Sequence, residues 1–203
     1  MSLDVQIPLN KLTALRGLKL MLKLVEIEES DLETLRHWRM LPEVTKYMFT
    51  EPQLTIEMQN EWFQAINHDP TCRYWIVELE YTKIGSVYLT NIDYQNSRCS
   101  WGYYLDPSIR GQGFGKLLEY NIFDFVFNEL GLNKLTSEVL AFNKRVVHIK
   151  TKCGSLIEGV LRQQIKKGKT YHDVLVMGIL KDEWLEHRTK INYEKIHIEC
   201  SIN

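Results

Sequence analysis

The stretch Arg110-Gly111-Gln112-Gly113-Phe114-Gly115 constrains this chain more than any other. It follows Trp101-Gly102-Tyr103-Tyr104-Leu105, whose aromatic residues favour a strand, and Asp106-Pro107, which ends that strand in a turn. It precedes Lys116 to Leu130, a long apolar-patterned stretch with no glycine or proline that reads as a helix. Glycines let the backbone turn its N–H groups inward, and a helix start leaves donors unpaired and carries a partial positive charge. Strand, glycine loop and helix N-terminus together form an anion cradle, for which pyrophosphate is the usual guest. The spacing excludes two common versions. Arg110 stands where a nucleotide-triphosphatase loop has its first glycine, and Leu117 where it has a hydroxyl for magnesium. Lys116 stands where a dinucleotide fingerprint has its third glycine.

The rest of the chain supplies the frame around this loop. Leu18, Leu20, Leu22 and Leu24 alternate with Lys19, Met21, Lys23 and Val25 as in a half-buried strand. Ser30 and Glu33 form a capping-box signal for a helix through Leu35 and Trp38. A second helix is expected from Thr55, with Met58, Trp62 and Ile66 at four-residue spacing. Arg73–Leu79 and Ile84–Leu89 read as paired strands, and Ser97–Leu105 as the strand that enters the loop. Beyond the long helix, which Gly131 ends, the pattern predicts a strand at Leu135–Leu140 and a helix at Asn143–Lys152 capped by Gly154. Leu156–Gln163 and Val174–Leu180 close the series as a pair, with the turn at Lys166-Lys167-Gly168-Lys169.

With 203 residues, 44% of them hydrophobic, the chain suits one domain with a proper core. A formal net charge of -1 gives no electrostatic reason to expect nucleic acid or an anionic membrane as partner. Cys72, Cys99, Cys153 and Cys200 are scattered, which argues against a zinc site or disulfide framework, so no metal is expected and a reducing cytoplasm is. No apolar stretch is long enough to span a bilayer. Asp4 and Asn10 interrupt the N-terminal region where a secretory segment would be apolar.

The Arg-x-x-Gly-x-Gly loop resembles the acetyl-CoA pyrophosphate loop of the GNAT superfamily of N-acetyltransferases. Ile84-Gly85-Ser86-Val87 resembles that superfamily's third strand, Tyr103-Tyr104-Leu105-Asp106-Pro107 its fourth, and Glu138-Val139-Leu140 with Asn143 its fifth strand and following helix start. The resemblance covers residues 18–180. It implies an α/β (α+β) fold: a GNAT-like mixed, mostly antiparallel central sheet of six to seven strands flanked by helices. The division expected is an N-terminal extension at 1–17, the acetyltransferase domain at 18–184, and a C-terminal extension at 185–203. In that extension Ile196, Ile198, Cys200 and Ile202 alternate with polar residues as in an extra strand. Such a strand pairs with a sheet edge of its own subunit or of a partner, so a homodimer is one expectation.

By the same resemblance, acetyl-CoA is the co-substrate, and it reacts by direct attack of a primary amine. Tyr104 and Leu105 would hold the pantetheine arm; Arg110, Gly111, Gln112, Gly113, Phe114, Gly115 and Lys116 the pyrophosphate; and Asn143 the cofactor arm. Many relatives carry a glutamate base two residues before the glycine of Gly-Tyr, where this chain has Ser100, and a tyrosine acid where it has Lys150. Glu138, His148 and Lys150 are therefore the candidates for proton transfer. Trp38-Arg39-Met40-Leu41-Pro42-Glu43-Val44 with Tyr47-Met48 resembles the first-helix region of amino-sugar acetyltransferases, especially the UDP-amino-sugar enzyme of pseudaminic acid biosynthesis. That points to Trp38, Arg39, Tyr47, Met48 and Tyr171 as acceptor contacts and to an amino sugar, or a nucleotide-linked one, as acceptor. The alternatives are a polyamine or a ribosomal-protein or peptide N-terminus. A reading of another class is a non-catalytic acetyl-CoA-binding module, encouraged by Ser100 and Lys150.

Overall fold

The computed structural model describes residues 21–200, so the expected N-terminal extension, the start of the first strand at Leu18 and the tail's Ile202 lie outside the described residues. The elements are β1 (Leu22–Glu26), a 3-10 turn (Glu29–Asp31), α1 (Leu32–Met40), α2 (Pro42–Thr45), α3 (Ile56–His68), β2 (Arg73–Leu79), β3 (Thr82–Asp93) and β4 (Arg98–Leu105). A 3-10 turn (Pro107–Ile109) and the glycine loop lead to α4 (Phe114–Asp124), which runs on as a π turn at Phe125–Glu129. Then come β5 (Lys134–Leu140), α5 (Lys144–Lys152), β6 (Leu156–Lys167), β7 (Thr170–Leu180), α6 (Lys181–Arg188) and β8 (His197–Ile198).

One sheet takes all the strands in the order β6-β7-β5-β4-β3-β2-β1-β8. It has eight strands where six to seven were expected; the tail supplies the eighth. Its pairs are antiparallel except β4 with β5 and β1 with β8.

Period-two alternation sends neighbouring side chains to opposite faces. Trp75, Val77 and Leu79 join the larger core under α4, whereas Ile76 packs with Leu35 and Trp38 on the other face. On the α4 side Phe123, Phe127 and Leu118 are fully enclosed, each contributing about 1.5–3 kcal/mol by removal from water. The π turn, closed by Leu130 N–H donating to Phe125 O at 3.0 Å, lets Phe125, Val126 and Phe127 all face protein.

Three local expectations shift. The first helix is entered not at Ser30 but through Glu28, whose N–H donates to Asp31 Oδ2 at 2.9 Å, so a 3-10 turn precedes α1. The short helix α2, with Pro42 in its first turn, had no periodic signal because four residues are too few to show one. The β6–β7 hairpin is longer than Leu156–Gln163 and Val174–Leu180, its pairing running down to Lys167 opposite Thr170.

The tail folds back onto its own subunit. Asp124 accepts from Trp184 Nε1 at 2.9 Å and meets Arg188 at 3.2 Å, with Tyr193 and Lys195 also on its carboxylate. Asn121 clamps the chain on both sides of Lys195, donating to Glu194 O at 2.9 Å and accepting from Ile196 N–H at 3.0 Å. β8 then pairs with β1 through Lys23–His197 and Leu24–Ile198, and Trp75 Nε1 donates to Glu199 O at 2.7 Å. The β1 edge, where a partner's strand would have paired, is covered from within along these residues. Among the described residues no helix is long and apolar enough to cross a membrane.

Candidate active site

The site grows from a defect in the sheet. β4 and β5 run parallel and pair only at Arg98–Lys134, Cys99–Leu135 and Ser100–Thr136. The last rung is fastened by the two hydroxyls, Ser100 Oγ and Thr136 Oγ1, 2.9 Å apart. Beyond it the strands diverge, and β4 from Trp101 to Leu105 turns one edge of its backbone to an open wedge. Ser100 is occupied at the apex of that wedge, which is why it does not stand in for a glutamate base.

The wedge opens into a cleft of about 420 Å³ whose mouth is the glycine loop. Gly113 is the N-cap of α4 at φ 91° with no side-chain cap, so the N–H groups of Phe114 and Gly115 stay available to a ligand while that of Lys116 donates to Gly113 O at 3.1 Å. A Cβ at Gly113 would meet nothing within 4 Å, whereas one at Gly115 would lie 2.8 Å from the Tyr103 hydroxyl. The loop is therefore open on its ligand side and tightly packed against β4. Arg110 ties it to α2, donating to Glu43 O at 2.6 Å with its guanidinium 5.9 Å from the centre of the Tyr47 ring. The α5 wall is built from Asn143, which caps the helix by accepting from Val146 N–H at 3.4 Å, and from Arg145, Val146, Ile149 and Lys150.

All ten residues expected to hold the cofactor line this one cleft: Tyr104, Leu105, Arg110 to Lys116, and Asn143. Tyr47 and Met48 line it from the α2 side, and Glu138 from the part of β5 beyond its last rung with β4, where it still pairs with β7. Lys150 lines it from α5, and the remaining expected residues lie elsewhere. His148 is exposed on α5, 200° around the helix from Val146, so it faces away from the cleft. Trp38 is 5% exposed, its indole donating to Asp106 Oδ2 at 3.2 Å and its ring edge-on to Tyr104; it has no free face for a sugar ring. Arg39 donates to Thr50 Oγ1 at 3.4 Å and is not among the residues that line the cleft. Tyr171 is 54% exposed at the start of β7, outside the cleft.

Lys150 is the most unusual lining residue. It is 2% exposed, with its ammonium 3.9 Å from the centre of the Trp101 ring and 3.2 Å from Glu119 Oε1, a carboxylate that is itself 0% exposed. At 3.2 Å the two are in ionic contact, but not in line for a hydrogen bond, so Lys150 Nζ and both Glu119 oxygens keep unfilled hydrogen-bonding capacity. Burial holds Lys150 below the ordinary lysine range, against the pull of Glu119, and pushes Glu119 above the ordinary carboxylate range, against the pull of Lys150. Burial also raises Tyr103, with Glu119 adding to the effect, and pushes the Cys153 thiol up to about 12. The wedge thus has a buried floor in which an acid and a base lie in ionic contact, each shifted toward its neutral form by burial. Glu119 escaped the sequence reading, although a carboxylate on the apolar stripe of Ile122, Phe123 and Val126 was a readable signal. Trp101 belongs both to the core and to the cleft floor.

A splayed parallel pair with an anion loop at its mouth defines an acyl-CoA-dependent transferase. The Acetyltransferase (GNAT) domain family matches residues 21–155, and the chain belongs to that family. It is 28% identical over 165 residues to the spermidine N(1)-acetyltransferase of Vibrio cholerae, covering 81% of this chain and 95% of that protein. To the Escherichia coli K12 spermidine N(1)-acetyltransferase it is 27% identical over 168 residues, covering 82% and 90%. A crystal structure of the V. cholerae spermidine N-acetyltransferase in complex with CoA and spermine superposes with a TM-score of 0.78 at 28% identity, over 81% of this chain and 98% of that one. This chain is an acetyl-CoA-dependent N-acetyltransferase, not a cofactor-binding module without catalysis. These relatives do not support the amino-sugar acceptor, and the enclosed Trp38 offers that acceptor no stacking surface.

The residues fit acetyl-CoA. The uncapped start of α4 with Arg110 and Lys116 suits the pyrophosphate, and the open edge of β4 suits the pantetheine amides. Among the described residues no group of three or more His, Cys, Asp or Glu is placed to hold a metal ion.

Proposed function

We propose that the chain transfers an acetyl group from acetyl-CoA to a primary amine of a polyamine of the spermidine and spermine class. The observation that carries this reading is the pairing of a GNAT cleft with relatives that are spermidine acetyltransferases along nearly their whole length. The acceptor side of the cleft fits a flexible polycation. Its carboxylates are Glu43 on α2 and Glu138 on β5, and Tyr47, Tyr88 and Tyr104 add aromatic faces. The cations gather at the loop and on α5 (Arg110, Lys116, Arg145), where phosphates would lie.

Acetyl-CoA supplies the acetyl group as a thioester, a carbonyl open to amine attack without a covalent enzyme intermediate. The chain's part is to hold both reactants for that attack and to manage protons. Glu138, on β5 beyond its last rung with β4, takes the proton the attacking nitrogen must lose, and the open backbone edge of β4 offers N–H donors to the carbonyl oxygen.

The test is thiol release from acetyl-CoA across a panel of spermidine, spermine, putrescine, amino sugars, UDP-amino sugars and short peptides. Turnover concentrated on spermidine and spermine is expected. Turnover on a UDP-amino sugar or a peptide with none on the polyamines would overturn the acceptor assignment.

A further inference from the structure

The buried Glu119–Lys150 pair has no counterpart in the reading above. Lys150 stands on α5 where many GNAT relatives carry a tyrosine acid, and Glu119 projects from α4 across the floor of the wedge. Salt bridges this deep stabilise little relative to an apolar pair of the same volume. This one also leaves three polar atoms without hydrogen-bond partners beside a ligand cleft.

We propose that Lys150 is the proton donor to the departing CoA sulfur, and that Glu119 is a positioning residue that keeps a proton on Lys150 in the closed floor of the cleft. This rests on the N-acetyltransferase reading and does not depend on which amine is the acceptor. As the carbon–nitrogen bond forms and the carbon–sulfur bond breaks, sulfur keeps the electron pair of the broken bond. Lys150 gives sulfur one proton and holds the N–H pair. The attacking nitrogen gives its proton to Glu138, which passes it to water, and Lys150 regains a proton from water once CoA has left, so one proton leaves and one enters.

The groups facing Lys150 are few. Glu119 comes from α4, the Trp101 ring from β4, and Cys153 from the C-cap of its own helix, with Tyr103 of β4 near Glu119 and Cys153, and Tyr120 and Lys116 of α4 near Cys153. Tyr103 and Cys153 both keep their protons more tightly than usual, which leaves the pair as the transferable source. The Trp101 face favours the charged ammonium and fixes its direction.

The experiment compares the wild type with Lys150→Met, Lys150→Tyr and Glu119→Gln, each first checked for folding by thermal melting and for acetyl-CoA binding. Lys150→Met is expected to lose about 100-fold in kcat with the KM for acetyl-CoA within about threefold, and Lys150→Tyr to recover most of the loss. Glu119→Gln is expected to move the alkaline limb of the kcat profile to lower pH, because the carboxylate that helps Lys150 hold its proton is gone. A second readout needs no acceptor: the thiol of bound CoA, titrated by its thiolate absorbance, should ionise at higher pH in Lys150→Met than in the wild type. Wild-type kcat in Lys150→Met, an unmoved limb in Glu119→Gln, or an unchanged bound thiol would each overturn the proposal. If Lys150→Met does not fold, the Glu119→Gln limb decides. If polyamines are not turned over, only the acceptor assignment falls and the thiol titration still judges Lys150.

Discussion

Replacing Lys150 by methionine should steepen the loss of stability as pH rises, and the size of the effect follows from burial. In the wild type each partner restrains the other. Burial alone would raise Glu119 and lower Lys150, and their mutual attraction opposes both shifts. Methionine removes the attraction and leaves Glu119, 0% exposed, with desolvation unopposed. Its folded-state pKa then lies well above the unfolded value of 4.5. A carboxyl raised in the folded state binds its proton more tightly there, so the stability it lends is complete below that unfolded value and is lost as pH rises. With one proton difference the slope is about 1.4 kcal/mol per pH unit, so from pH 5 to pH 7 the variant should lose up to about 2.7 kcal/mol. For a chain of this length that is a fall in Tm of about 5–11 °C.

Glu119→Leu should do the mirror image. Lys150, left alone and held below 10.5 in the folded state, lends stability that is complete above that value and is lost as pH falls, so this variant should gain in Tm from pH 7 to pH 9. The double variant Glu119→Leu/Lys150→Met titrates at neither position and should be at least as stable as the wild type, since buried pairs replaced by apolar residues are neutral or stabilising by about 1–4 kcal/mol. Thermal unfolding of the four proteins in buffers from pH 5 to 9, without acetyl-CoA, measures all of this. A flat or rising Tm for Lys150→Met between pH 5 and 7 would refute the reasoning, because Glu119 would then have water or another cation to turn to.

Other consequences are simpler. Gly115→Ala places a Cβ 2.8 Å from the Tyr103 hydroxyl; displacing the loop should raise the KM for acetyl-CoA about tenfold, equivalent to about 1.4 kcal/mol, as initial rates will show. Arg110→Ala cuts the link from the loop to Glu43 O and Tyr47; it should weaken acetyl-CoA binding in calorimetry while costing less than about 1 kcal/mol of stability, as exposed charges do. Asp124→Ala strips the acceptor from the buried Trp184 indole and releases Tyr193, Arg188 and Lys195. Denaturant unfolding should show a loss of about 1–3 kcal/mol or more, and amide exchange across 193–198 should quicken.

The parts of this protein legible in its sequence are those written in short-range pattern. Trp101–Leu105, the glycines and the run after Lys116 identify strand, loop and helix because each needs a residue type that few alternatives can supply. The family resemblance, not the pattern, grouped Tyr104, Leu105, Arg110–Lys116 and Asn143 as cofactor contacts, and these residues line one cleft. What failed was orientation. Trp38 and Arg39 sit on the expected helix, but Trp38 turns inward to Asp106 and Arg39 toward Thr50, a choice set by packing against the sheet rather than by spacing. The Glu119–Lys150 contact joins residues 31 positions apart on two helices, and no local rule pairs them. The tail's alternation was readable as a strand, yet its partner was fixed by Asn121 and Asp124 on α4 and Trp75 on β2, side chains distant from it in sequence.

The proton roles proposed for Glu138 and Lys150 make a last demand on the acceptor. A polyamine nitrogen titrates near the lysine value of about 10.4, so at pH 7 roughly one molecule in 10³ is neutral in water. Raising the pH would supply neutral amine but would also discharge Lys150, which burial already holds below the lysine range. The enzyme therefore needs a base inside the cleft that removes the amine's proton while Lys150 is still charged. Ser100 is fastened to Thr136, which leaves Glu138 as the carboxylate on the splayed strand. Glu138→Gln should accordingly lower kcat/KM for spermidine about 10²-fold or more near neutrality. It should also turn the acid side of the profile into a line of unit slope, as free neutral amine becomes the reactive species. Hydroxylamine or another amine already neutral at pH 7 should lose far less in the same variant. An equal loss for both amines would mean that Glu138 binds the acceptor's charge instead of taking its proton.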